Sequence, residues 1–269
     1  MFVLHKVERL INIDSIVMGI NAVRPKGFYF SGETHDFWEV LMVKRGKVTA
    51  VADNRIHTLD EGKLLFHKPM EFHRIQAEGD IAPHLYIISF SASGKEMKQF
   101  ENACYDLNIV ESNKFGKITE SFVAATNSTT KDVFDYYSSI AVSELEVFLL
   151  SLLKKEKYTG KALSYNEKQY AKIIDVMEQN YEKMLSIYDI ANLCNMGVSN
   201  MKRIFSRYCD IGVAKYFLSL KMRKAIEMFD MGMKPKEVAA ALGFCEINYF
   251  YTVFKRETGH TPSEYKKSR

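Results

Sequence analysis

The chain has 269 residues, of which 37 are basic and 33 acidic, giving a formal net charge of +4. Its content of 47% apolar, 26% charged and 13% aromatic residues is that of a globular protein and excludes a chain disordered throughout. The longest strongly apolar stretch, Val147–Leu153, is too short to cross a bilayer and is interrupted by Ser151, so no membrane partner is expected.

The opening MFVLHKVERL has neither an unbroken apolar run nor a small-residue cleavage site. No secretion signal is read there, and the expected location is the cytoplasm. The four cysteines, Cys104, Cys194, Cys209 and Cys245, fall at no metal-ligand spacing and are expected to be reduced thiols. A length of this order favours two domains.

Up to about residue 92 the pattern is that of short strands. Phe37–Val43 is mostly apolar and aromatic, Lys47–Ala52 and Arg55–Leu59 read as a hairpin around Asp53-Asn54, and Lys63–Phe66 follows Gly62. Pro69 breaks the run and Leu85–Phe90 closes it. Strands at such spacing predict a sandwich or barrel. Beyond residue 94 the period changes. Phe134, Tyr137, Val142, Leu145, Phe148, Leu149, Leu152 and Leu153 make a helical stripe that packs either on its own barrel or also on a second copy of the chain. Lys154–Asn166 is polar and carries a glycine, as a linker does. The expected division is 1–155, a linker at 156–166, and 167–269.

From Glu167 onward the chain reads as helix. Tyr170, Ile173, Ile174, Met177 and Tyr181 share one face; Ser186 to Asp189 matches a capping box, and Pro235 opens a later helix. Charge separates the halves: residues 1–160 carry a net −2 and residues 161–269 a net +6, whereas six of the seven histidines precede residue 85. A basic block of this size suggests a polyanionic partner.

The basic half contains a repeat. Ile190-Ala191 opens a short helix, a turn follows at Asn195-Met196-Gly197, and a second helix runs from Val198 to Phe205. Val238-Ala239, a turn at Leu242-Gly243-Phe244 and a helix through Phe254 repeat the arrangement. From the alanine to the closing phenylalanine is 14 residues in the first unit and 15 in the second. Each unit reads as a helix-turn-helix, in which the second helix enters the major groove of double-stranded DNA. A long helix, Val213 to Phe229, joins the two.

The segment Ile187–Tyr265 resembles the DNA-binding domain of the AraC/XylS transcription regulators. The likeness is carried by Gly243-Phe244, Tyr249-Phe250, Phe254-Lys255, Gly259, Thr261-Pro262 and Glu264-Tyr265. The resemblance implies that Ser199, Asn200, Lys202 and Arg203 of the first recognition helix face DNA. It implies the same for Glu246, Ile247, Asn248, Tyr251 and Thr252 of the second. Arg203 suits bidentate pairing with guanine, Asn248 suits adenine, and Ile247 offers only contact with a thymine methyl. Lys255 and Arg256 are expected on phosphates. Gly197 and Cys245 stand where the family usually has a capping serine, Thr252 where it often has arginine, and Lys221 likewise in the joining helix. The first unit is therefore expected to carry more of the specificity.

In the first half, Thr34-His35, Glu39 and Gly46 resemble the first motif of the cupin barrel, and Gly62, Pro69 and His73 a looser second one. In metal-binding cupins such positions supply ligands, which here would be Glu33, His35, Glu39 and His73, a set suited to a first-row divalent metal. Sensor barrels of this regulator class commonly keep such residues without metal, and a pocket without metal or other cofactor is the reading preferred here. Its expected lining is Phe28, Phe30, His35, Trp38, Glu39 and His73. Strand alternation allows only one of Trp38 and Glu39 to point into the lumen. His57, His67 and His84 are read as surface or strand-face residues without a role.

The expected fold is α+β with two domains: a cupin-like β-barrel followed by its own helices, then an all-α domain of two helix-turn-helix units. The expected function is that of a ligand-responsive transcription regulator, more often an activator than a repressor. It is expected to be a homodimer, to contact RNA polymerase, and not to be an enzyme. The competing expectation is a metal-dependent cupin enzyme that the basic half tethers to DNA.

Overall fold

The computed structural model describes residues 3–160 and 162–267. Lys161, within the expected linker, lies outside the described residues, as do Met1, Phe2, Ser268 and Arg269 at the ends of the two outer spans. The chain divides near residue 162 into two compact units.

The first unit opens with nine strands: β1 (Asn12–Val23), β2 (Tyr29–Glu33), β3 (Trp38–Arg45), β4 (Val48–Ala52), β5 (Arg55–Leu59), β6 (Lys63–His67), β7 (His73–Ala77), β8 (His84–Ser93) and β9 (Cys104–Asp106). The expected barrel is realised as two sheets, one ordered β1-β8-β3-β6-β9 and the other β2-β7-β4-β5. Leu41, Val43, Leu65, Leu85 and Ile87 of the larger sheet meet Val48, Ala50, Leu59 and Ile75 of the smaller one in a single apolar cluster.

Two helices, α1 (Ile109–Thr126) and α2 (Lys131–Leu152), follow the strands. They cover the other face of the larger sheet, where Trp38, Val40, Met42, Phe66, Ile88 and Phe90 pack with Phe115, Ile118, Phe122, Leu145, Phe148 and Leu149. With both faces covered, β3 reads as an almost continuous apolar run. Gly19 marks where α1 crosses β1, since a Cβ there would come within 2.6 Å of the Val123 nitrogen. The stripe predicted along α2 divides in two. Leu145, Phe148, Leu149 and Leu152 are buried, whereas Phe134 and Tyr137 are exposed.

After residue 162 the elements among the described residues are helices: α3 (Tyr165–Glu178), α4 (Ile187–Leu193), α5 (Val198–Phe205), α6 (Val213–Asp230), α7 (Pro235–Ala241), α8 (Ile247–Thr258) and α9 (Pro262–Lys267). Helix α3 begins inside the expected linker because Ser164 and Glu167 form a capping box. Tyr170, Ile173, Ile174 and Met177 are its buried face, as their spacing predicts. The box at Ser186 and Asp189 starts α4, and Pro235 occupies the first turn of α7. Helix α6 threads the centre. The Lys221 ammonium is fully buried and donates to the carbonyls of Tyr181 (2.5 Å) and Leu242 (2.7 Å), tying the end of α7 to the segment after α3.

Candidate nucleic-acid interface and ligand site

The two helix-turn-helix units repeat at the level of single hydrogen bonds. Asn195 adopts a left-handed conformation (φ 55°) and Gly243 does the same (φ 74°), each four residues after the alanine of its unit. The Met196 amide donates to Ala191 O at 3.0 Å, and the Phe244 amide to Ala239 O at 2.9 Å. Each first helix is thus closed by the same left-handed turn. The recognition helices begin at Val198 and Ile247, so the extra residue of the second unit lies in its turn, around Cys245-Glu246.

Helix α5 buries Met201, Ile204 and Phe205 and leaves Ser199, Asn200, Lys202 and Arg203 exposed on one side. The Arg203 guanidinium donates to Asn200 Oδ1 at 2.7 Å, which holds its plane in place. Helix α8 buries Phe250, Val253 and Phe254; it exposes Ile247, Asn248, Thr252, Lys255 and Arg256, with Tyr251 half-buried. The Thr252 hydroxyl donates back to Asn248 O at 2.9 Å, and Arg256 is paired with Glu257 at 2.8 Å. Neither recognition helix has a side-chain cap. In the second the capping position is occupied by Glu246, with Cys245 one residue earlier, because of the longer turn.

The ligand site of the first unit is built by register. Glu39 lies opposite His67 on β6 and opposite Ser89 on β8, so all three side chains leave the same face of the larger sheet. On the smaller sheet His73 pairs with Glu33. The facing sheets bring the two sets together at one end of the sandwich. Nε2 of His73 is 3.4 Å from Glu39 Oε1 and 3.9 Å from Glu33 Oε1, and Nε2 of His35 is 3.8 Å from Glu39 Oε2. Ser89 donates to Glu39 at 3.3 Å. Glu39 and His73 are buried, whereas the Glu33 side chain is 50% exposed.

Burial would raise the Glu39 carboxyl, but the imidazoles of His35, His73 and His67 outweigh it and hold the group below its usual value. Burial and the neighbouring His67 pull His73 down to about 4, so at neutral pH the site holds a carboxylate beside an uncharged imidazole.

A cavity of about 130 Å³ opens from this cluster, lined by Met18, Ile20, Arg24, Phe28, Phe30, Glu33, Glu39, Ile75 and Ile87. The expected residues Phe28, Phe30 and Glu39 line it, whereas His35 and His73 do not, although each ring reaches within 3.8 Å of the Glu39 carboxylate. Trp38 does not. It leaves the opposite face of β3 and packs with Val40 and Met42 under the helices, as the alternation requires of one of the two neighbours. His67 is also corrected: it is fully buried, bonded to the Glu71 carboxylate at 3.0 Å and stacked on His73 with ring centroids 4.4 Å apart. Sequence reading missed Met18, Ile20, Arg24, Ile75 and Ile87 as lining residues. The first two carried a period-2 signal on β1, whereas nothing in the sequence marked Arg24.

Residues 20–99 match the family model described as the AraC-like ligand binding domain, and residues 190–268 match a helix-turn-helix domain. An uncharacterized response regulatory protein of Staphylococcus epidermidis is 26% identical over 105 residues, covering 39% of this chain and 42% of that relative's length. The HTH-type transcriptional activator RhaR of Yersinia pseudotuberculosis is 22% identical over 252 residues, with 88% of this chain and 85% of the relative covered. Among solved structures, ToxT from Vibrio cholerae covers 97% of this chain and 98% of its own at 14% identity, with a TM-score of 0.40.

Proposed function

The chain belongs to the AraC/XylS family, and from that premise we propose that it regulates transcription by binding specific DNA sites in response to a small molecule held in its β-sandwich. The observation that carries this reading is the repeated unit itself. Two recognition helices, each preceded by the same left-handed turn, present mostly polar and basic side chains on the side opposite their buried apolar residues.

In this reading Ser199, Asn200, Lys202 and Arg203 read bases and position the first unit. Asn248, Ile247 and Tyr251 serve the second, with Glu246 and Thr252 beside them, and Lys255 and Arg256 hold phosphate. Thr252 stands where the family often has arginine and Ile247 offers only a methyl contact, so the first unit supplies more of the discrimination. Basic side chains supply most of the affinity by counterion release. The effector occupies the cavity lined by Phe28, Phe30 and Glu39. Its differential affinity for two states of the protein shifts DNA binding or contact with RNA polymerase. The output assigned is activation, the role named for RhaR, by a homodimer working in the cytoplasm. No helix among the described residues is long and apolar enough to cross a membrane.

Selection of a random duplex library by the full chain at near-physiological salt tests the reading. Enrichment of two short blocks about one helical turn apart supports it. Binding without any enriched motif would overturn it in favour of an enzyme tethered to DNA by charge.

A further inference from the structure

The segment that leaves α2 does not run free to α3. Lys155 donates to both oxygens of Glu111, at 2.9 and 3.1 Å, and so is held against the capped start of α1. Three residues on, Tyr158 is half-buried between neighbours that are exposed on both sides. Its amide donates to Cys104 O at 2.7 Å. Strand β9 is the edge of the larger sheet, and the bonds of Phe66 N to Ala103 O and of Leu107 N to Gly62 O use the side of it that faces β6. Alternation turns the Cys104 carbonyl outward, so Tyr158 takes up a group that the edge would otherwise leave open.

The Tyr158 ring is held as well. Lys63 Nζ lies 4.6 Å from the ring centroid and is itself fixed by Asp106 at 2.8 Å and Asp60 at 3.5 Å. The ring also packs on the apolar cluster between the two sheets, of which Leu65 and Cys104 are part. Ile75 and Ile87 of that cluster, with Ile20 and Phe28 packed against it, line the cavity. Tyr158 and the cavity thus rest on one set of side chains. One edge hydrogen bond, one cation–π contact and part of a ring oppose the entropy of ordering the segment. Terms of similar size leave docking sensitive to how firmly the cluster is packed.

We propose that Tyr158 is a latch that sets the length of the tether between the β-sandwich and the helical unit according to how the shared cluster is packed. Docked, the tether runs from Tyr158 to the Ser164 cap of α3, a reach of roughly 20 Å; released, it runs from Lys155, a reach of roughly 30 Å. The firmer the cluster, as when the cavity is filled, the more the short form is populated. The latch stands on the geometry of the sandwich alone, whereas its effect on DNA binding rests on the regulatory reading above.

Hydrogen exchange of the full chain, resolved at the amide of residue 158, tests the latch. In the parent that amide is expected to exchange on the order of tenfold or more below its unprotected rate, and an unprotected amide overturns the proposal. Tyr158→Ala should lose most of the protection while the amides of α1 exchange as in the parent; full protection retained in the variant overturns the role of the ring. The link to the cavity is read from one substitution made on opposite faces of β8. Ile87 belongs to the shared cluster and Ile88 to the one beneath the helices. Ile87→Val should speed exchange at Tyr158 by roughly two- to tenfold, and Ile88→Val should leave it unchanged. Equal acceleration by both, or none by Ile87→Val, overturns the link. Duplexes carrying two copies of the selected site at varied separations are then bound by the parent and by Tyr158→Ala. A reach longer by roughly 10 Å should let the variant accept separations about three base pairs wider, and identical tolerance overturns the tether clause. An enriched motif with an unprotected amide sinks the latch alone; a protected amide without any motif sinks the regulatory reading alone.

Discussion

At the scale of single residues, two cations in the helical unit have opposite fates. Arg203 is exposed and is held by one bond to Asn200, leaving the rest of its planar fork to pair with a base edge. Arg203→Ala should cost about 1–3 kcal/mol of specific binding and relax preference in one block of the selected site only. Sequencing the library selected by the variant reads this directly, and uniform weakening across all sites would reassign Arg203 to phosphate. Lys221 is fully buried, and its ammonium satisfies the carbonyls of Tyr181 and Leu242. Lys221→Met leaves both without that donor and should lower unfolding stability by about 2–4 kcal/mol, measured by denaturant titration. A change near zero would show that water replaces the ammonium.

At the scale of elements, helix starts and turns hold most of the local information in the second unit. The carboxylates of Asp189 and Glu264 are each held below their usual values by capping bonds, to Ser186 and Thr261 respectively. A carboxylate with a depressed folded value stabilises the protein above its unfolded value, and that contribution is lost as pH falls through the folded one. Thermal melts should therefore show the cap contribution fading below about pH 4, with part of that dependence absent in Asp189→Asn. Gly243 combines a positive φ with a position where a Cβ would collide with the Glu182 carbonyl. Gly243→Ala should destabilise by about 1–3 kcal/mol or more, since strain and collision add. Equal stability of variant and parent in a denaturant titration would count against this account of the turn.

At the scale of the whole molecule, the first turns of α2 leave Val133, Phe134, Tyr136 and Tyr137 exposed, while the later turns are buried against the sheet. The proposed homodimer uses this apolar surface. Sedimentation of the full chain should show a dimer, and Phe134→Glu with Tyr137→Glu should shift it towards monomer while leaving the unfolding transition in place. A monomeric parent would remove α2 from the dimer reading. The charge of the second half makes a further expectation: DNA affinity should fall steeply and linearly in log–log form with salt.

The sequence by itself determined the helical half almost completely. Its signals are local: caps at Ser186 and Pro235, the alanine-to-turn spacing repeated at Ala191 and Ala239, and the apolar face of α3 all act within a few residues. In the strand half it placed β3, β4, β5, β6 and β8 but missed β1, β2, β7 and β9. Strand β1 is a partly exposed edge whose register shifts leave a regular alternation only from Met18 onward, β2 is another edge, and β9 has three residues, so none stands out as an apolar run. Glu39 and His73 were legible as motif residues, and α1 was not read although Asn108 and Glu111 cap it. Only the tertiary structure decided that Trp38 faces the helices, that His67 is buried beside His73, and that Arg24 reaches the cavity. A helix cap is settled by neighbours in sequence. Which face of a strand looks inward, and what meets it there, is settled by cross-strand register and by the sheet packed opposite.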